Sequence, residues 1–134
     1  MPQPAEELSA QMRSDAEMCE RLATLNGLDL DGRLRSLEHL EELIDSLTPW
    51  PQASEDLRQA MIRLIGAYLG ELIRNSLGGS WVSDEEYRTP ALQVSQSLRI
   101  FPHSRVRKRW EEGRARSLST YVDMLTTRLG SGPM

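Results

Sequence analysis

The chain predicts a single α+β domain: three N-terminal helices, the third long and central, then a small antiparallel sheet and C-terminal helices. Three observations predict it. Residues 57–77 carry apolar side chains at helical spacing and stop at Gly78-Gly79. Beyond that pair the pattern breaks into short β-like runs before helical spacing returns. And 134 residues, 39% hydrophobic and 27% charged, suffice for one core but not for two.

Residues 5–25 place Leu8, Met12, Cys19, Leu22 and Leu25 at helical spacing, and Asn26-Gly27 is a natural stop. This apolar stripe is the weakest in the chain. Residues 1–27 are therefore expected as a peripheral helix, outside a domain at 28–129 or against a second copy. Asp31 is the expected cap of the second helix, ahead of Gly32 and Arg33. Leu34, Leu37, Leu40, Ile44 and Leu47 fall on one face of it, with Glu38, Glu41, Glu42 and Asp45 largely on the other. Thr48-Pro49-Trp50-Pro51 ends this helix, because proline lacks a backbone donor and disfavours helical geometry in the residue before it. Ser54 caps the third helix, and Glu55 and Asp56 suit its positive end.

From Leu57 onward, Met61, Leu64, Ile65, Tyr68, Leu69, Leu72 and Ile73 make a face wide enough to be contacted from two sides. Ala60, Gly66, Ala67 and Gly70 interleave with it. An interior helical glycine costs about 1 kcal/mol relative to alanine, so the economical reason for Gly66 and Gly70 is close approach of another element. Residues 81–82, 91–94 and 98–101 are the strand candidates. A basic helix at 103–112 follows Pro102 and ends at Gly113. Ser117 caps a last helix whose stripe is Leu118, Tyr121, Val122, Leu125 and Leu129, and residues 130–134 read as a disordered tail.

Charge is laid out unevenly. The net charge is −4, yet residues 1–57 hold thirteen acids against four arginines, and residues 99–116 hold seven basic residues against Glu111 and Glu112. Such asymmetry points either to an internal match between the acidic helices and the basic segment or to separate faces for partners. No apolar run approaches the roughly 20 residues that span a bilayer, and the N-terminus has no secretory h-region, so a cytoplasmic protein is expected. The single Cys19 precludes an intrachain disulfide, and two histidines make a histidine metal cluster improbable, so no metal or cofactor is expected. Gly78-Gly79-Ser80 follows a helix and lacks the lysine of a phosphate loop; it reads as a helix stop.

No residues form a catalytic signature, and the candidates are ligand- or partner-binding groups. Glu71 sits near the end of the apolar helix, where it would pair with an arginine of the C-terminal segment or open into a pocket with Tyr68, Trp81 and Arg105. His103 precedes the basic helix and has the chemistry of an acid, a base or an anion contact. Arg105, Arg109 and Trp110 lie within that helix, where phosphate contact and base stacking are conceivable. The overall acidity disfavours nucleic acid. Trp50, between two prolines, is a candidate anchor for a protein partner.

Several of these pieces together resemble a family of small bacterial domains classed as a domain of unknown function. They are residues 34–45, then Gly66-Ala67-Tyr68-Leu69-Gly70-Glu71, then Gly78-Gly79-Ser80-Trp81, extended by Pro102 with Val106 and by Gly113 with Ser117-Leu118. The similarity covers roughly residues 28–129. It implies a compact α+β domain and a bacterial source, and it brings no reaction with it. Between Gly113 and Ser117, where an acid is expected, this chain has Arg114-Ala115-Arg116.

The expected function is a non-enzymatic protein–protein interaction module, immunity-like or regulatory, whose acidic N-terminal face steers a bacterial partner with a basic face. A homodimer through the N-terminal helix is a further expectation. The alternative is a small-molecule-binding or enzymatic domain with a pocket around Glu71.

Overall fold

The computed structural model of the chain describes residues 4–48 and 54–130. The expected α+β architecture is the one observed: five helices with a three-stranded antiparallel sheet. Helix α1 (Ala5–Leu25) leads by way of Gly27, at φ +74°, to α2 (Ser36–Leu47). The long α3 (Glu55–Leu77) follows. Strands β1 (Ser80–Asp84), β2 (Thr89–Ser95) and β3 (Leu98–Ile100) come next, and α4 (Pro102–Glu112), a 3-10 turn (Gly113–Arg116) and α5 (Leu118–Gly130) complete the chain. Trp50 and its flanking prolines, and residues 131–134 of the expected tail, lie outside the described residues.

Helix α3 is the centre. Ser54 Oγ accepts from the Leu57 amide at 3.1 Å, and Gly78, at φ +85°, closes the other end as its N–H donates to the Arg74 carbonyl at 2.8 Å. Between these ends every residue from Leu64 to Ile73 is buried, so the helix is enclosed around its whole circumference. That explains the two glycines. A Cβ on Gly66 would lie 2.6 Å from the His103 ring and 2.9 Å from its Cα, and a Cβ on Gly70 would overlap the Trp81 indole and meet Pro102 at 3.2 Å. The close approach is made by the start of α4 and by β1.

Helix α1 is not peripheral. Leu8, Met12, Ala16, Cys19 and Ala23 are buried in the same core as α3, and α1 runs along α3 and touches β1. Its stripe is thin because small residues, Ala16 and Ala23, do much of the packing, which a search for large apolar side chains undercounts. Asp31 does not cap α2 directly. Gly32 adopts φ +78°, outside helical geometry, and the helix starts four residues later. Asp31 instead closes the intervening turn, accepting from Ser36 Oγ at 2.6 Å and from the Arg33 amide at 3.0 Å, and Leu34 is left exposed.

The sheet order is β1-β2-β3. Trp81 pairs with Leu92 and Leu92 with Ile100, with an irregularity between Gln93 and Ser95. In the β1–β2 turn Asp84 accepts from the Tyr87 amide at 2.9 Å and Arg88 takes φ +51°. Trp81, Leu92 and Ile100 face the helices, and α4 lies across both α3 and β2. Among the described residues no helix is long and apolar enough to cross a membrane.

Candidate functional site

The expected site residues do not converge on one pocket; the fold distributes them over three places. Tyr68, Glu71, Trp81 and His103 surround α3. Tyr68 is buried, and its hydroxyl accepts from the Gly32 amide at 2.9 Å, tying α3 to the α1–α2 turn. The Glu71 carboxylate accepts from Trp81 Nε1 at 2.9 Å and from Arg74 Nε at 2.8 Å. Its arginine partner is therefore one turn away on the same helix, not in the C-terminal segment. Burial pushes the Glu71 carboxyl up, but the Arg74 and Trp81 hydrogen bonds outweigh it and hold the group below its ordinary value. Glu71 borders clefts of about 280 and 200 Å3, shared with Arg13 and Arg74.

His103 is 8% exposed, packed on Gly66 and edge-on to Trp81 at 6.0 Å between ring centroids. Neither ring nitrogen has a hydrogen-bond partner among the described residues. The nearby Arg63 backbone works weakly toward protonation. Burial dominates and, with Arg107 and Arg63 nearby, pushes the imidazole down to about 4. It is a neutral core residue at neutral pH.

The second place is the contact of α2 with α4 and α5. Arg109, 1% exposed, donates to Glu41 Oε1 at 2.7 Å and to Asp45 Oδ1 at 2.6 Å. Glu41, equally buried, also accepts from Ser117 Oγ at 2.7 Å and from the Leu118 amide at 3.1 Å, so one carboxylate serves the first turn of α5. Arg114 adds contacts of 3.0 Å to both Glu38 and Asp45. Desolvation opposes ionisation of Glu41, and four hydrogen bonds overcome it, leaving the group charged and its pKa lowered. Arg109 and Arg114 of the basic segment are thus matched internally by the acids of α2. Glu41 was assigned to the polar face, yet Leu37, Leu40, Glu41 and Ile44 form an i, i+3, i+4, i+7 stripe that marks it as inward-facing.

The third place is a cleft of about 680 Å3 walled by β3, α4 and α5. Arg105 lies here, apart from Glu71, with its guanidinium 4.2 Å above the Tyr121 ring. Lys108 and Arg128 project from α4 and α5, Arg99 from β3, and Tyr87 stacks edge-on to Phe101 at one end, 5.3 Å between centroids. Among the described residues no carboxylate lines the cleft. Arg99 is neutralised outside it by Asp84 at 2.9 Å, whereas Arg105, Lys108 and Arg128 form no ion pair with a described residue. Cationic groups, exposed Met124 and aromatic rings together suit an anionic ligand with apolar side chains. Sequence reasoning named Arg105 but missed Tyr121, Arg128 and Tyr87, because α5 and the β1–β2 turn, both distant from Arg105 in sequence pattern, contribute them. Trp110 is half-buried against the core and lines no part of this cleft.

Cys19 is fully buried, and burial pushes its thiol up to about 12, so it is unreactive at neutral pH. Among the described residues no group of three or more histidine, cysteine, aspartate or glutamate side chains is placed to hold a metal ion. In comparison with known proteins, the sequence profile of a domain of unknown function, DUF3806, matches residues 38–121. No curated protein and no solved structure matches the chain.

Proposed function

The chain belongs to the DUF3806 family, and from that premise we propose that it is a non-enzymatic protein–protein interaction module of the bacterial cytoplasm, regulatory or immunity-like in role, that takes an acidic segment of its partner in the β3–α4–α5 cleft. The observation that carries this reading is the lining itself: three cations without a carboxylate partner among the described residues, beside aromatic and apolar surface, in a chain whose net charge is negative. Uncompensated positive charge in an otherwise acidic molecule attracts a specific anionic surface. A second surface is favoured by the crowding at Glu20. Glu17 and Asp29 lie close enough to Glu20 to act on its charge, and α1 carries five acids against Arg13 and Arg21, so its outer face suits a partner with a basic face. The reading of a small-molecule pocket around Glu71 has against it that the carboxylate is already engaged by Arg74 and Trp81.

Replacement of exposed Met124, at the cleft, by photoreactive benzoylphenylalanine in the native cell tests the proposal. A crosslink to an acidic stretch of one protein is expected, and Lys108→Glu with Arg128→Glu should abolish it without lowering the melting temperature. A crosslink that survives both charge reversals would sink the reading, as would crosslinking to basic segments only.

A further inference from the structure

Strand β3 is an edge strand: in the order β1-β2-β3 it pairs only with β2. The cleft touches Ser97, Leu98, Arg99, Ile100 and Phe101 in succession. Alternate residues of a strand point to opposite faces of the sheet, so a cavity that meets all of them runs along the strand's edge, not over one face. Beyond the β2 pairing, the only hydrogen bond to the backbone of residues 98–100 from a described residue is that of the Gln93 side chain, 3.4 Å from the Leu98 carbonyl. The outward backbone groups of β3 pair with no strand among the described residues. An unpaired edge of this kind is a template for another strand unless it is blocked, and here α4 and α5 stand off it and leave a groove.

Resting on the cleft reading above, we propose that the partner's acidic segment binds in extended form, as a fourth strand added to β3. Backbone pairing to β3 gives the segment its affinity, and the groove walls read its side chains. Side chains on one face of an added strand recur about every 7 Å. Arg105 and Lys108, three residues apart on one face of α4, are spaced at about 5–6 Å between their Cβ atoms, which suits acids at alternate positions of the guest. Arg128 receives a third charge across the groove from α5. Tyr121 is held under Arg105 and offers its ring to an apolar side chain between the acids.

The test is selection of random decapeptides displayed on phage against the full chain, followed by binding measurements on the enriched peptides. Enriched sequences are expected to be acidic, with β-branched residues at alternate positions and no central proline. Methylating the peptide's backbone nitrogens one at a time should weaken binding tenfold or more at every second position and little at those between. Hydrogen exchange at the amides of residues 98–100 should slow in the complex. Acidic peptides that bind through Lys108 and Arg128 but tolerate every N-methyl group, or that bind as helices, would overturn strand addition and leave the cleft reading standing. Enrichment that is unchanged on the Lys108→Glu, Arg128→Glu protein, or no enrichment at all, overturns the cleft reading and strand addition with it. A single-stranded oligonucleotide that displaces the peptides and binds more tightly would do the same.

Discussion

Gly66 and Gly70 set how near α4 and Trp81 stand to α3, and each is a position where one methyl group matters. A Cβ at Gly70 has nowhere to go, because the indole it would meet is rigid, 1% exposed and held at Nε1 by Glu71. Gly70→Ala gains about 1 kcal/mol of helix propensity but overpacks a filled core, which costs typically 1–3 kcal/mol and more where a ring must leave its site. The expected net loss is about 2 kcal/mol in urea unfolding, with a blue- or red-shift of tryptophan emission as the indole moves. An unchanged midpoint would show that α3 has slack there. The need for a close neighbour was legible from glycines at helical spacing amid large apolar residues. Which neighbour was not, since the partners Trp81 and His103 come from segments 11 and 37 residues further on than Gly70 and Gly66, and no periodicity links them.

Among the elements, α2, α4 and α5 are joined by charge as much as by apolar contact. Glu41 is the shared acceptor: it holds Arg109 of α4, and Ser117 and the Leu118 amide at the start of α5. Breaking a buried pair by removing one partner strands the other charge, at about 3–5 kcal/mol. Glu41→Ala is therefore expected to destabilise by that amount in equilibrium unfolding, whereas Glu41→Leu combined with Arg109→Met should recover most of the loss. Equal and additive losses in the double variant would mean that the pair is not coupled. The helices themselves were readable: the caps at Ser54 and Ser117, the stops at Gly78 and Gly113, and all three strands fall where propensity and turn residues put them. The start of α2 was not, because Gly32 breaks the helix that Asp31 was expected to begin. Glu41 was misplaced because a charged residue inside an apolar stripe looks like a surface residue until its partner, 68 residues away, is known.

For the whole molecule, the buried groups predict a two-stage response to acid. His103 has an ordinary value near 6.5 and a folded value of about 4. Its contribution is complete above pH 6.5, where both states are neutral, and is lost as pH falls from 6.5 to about 4, where the unfolded chain takes up the proton and the folded one does not. The loss amounts to about 3 kcal/mol across that window. Below it, the lowered carboxyls of Glu41, Asp45, Glu71 and Asp84 add to the fall, because their stabilisation is present above the ordinary carboxylate range and disappears as each folded value is passed. Urea unfolding at pH 7.5, 5.5 and 4.5 should show the upper stage, and His103→Leu should flatten it while the lower stage remains. A wild-type stability that is level between pH 7 and 4.5 would refute the neutral, buried assignment. At this scale the charge asymmetry was plain in the sequence, but only the fold divides it into the matched pairs of α2 and the open cations of the cleft. The distance between Glu41 and its ligands has one more consequence, for synthesis. Emerging from the ribosome N-terminus first, the chain exposes α2 with a bare inward carboxylate and α3 with an unfilled groove until the residues beyond position 100 appear. The halves cannot settle in sequence; stable packing of α2 and α3 is expected to wait until α4 and α5 have been made.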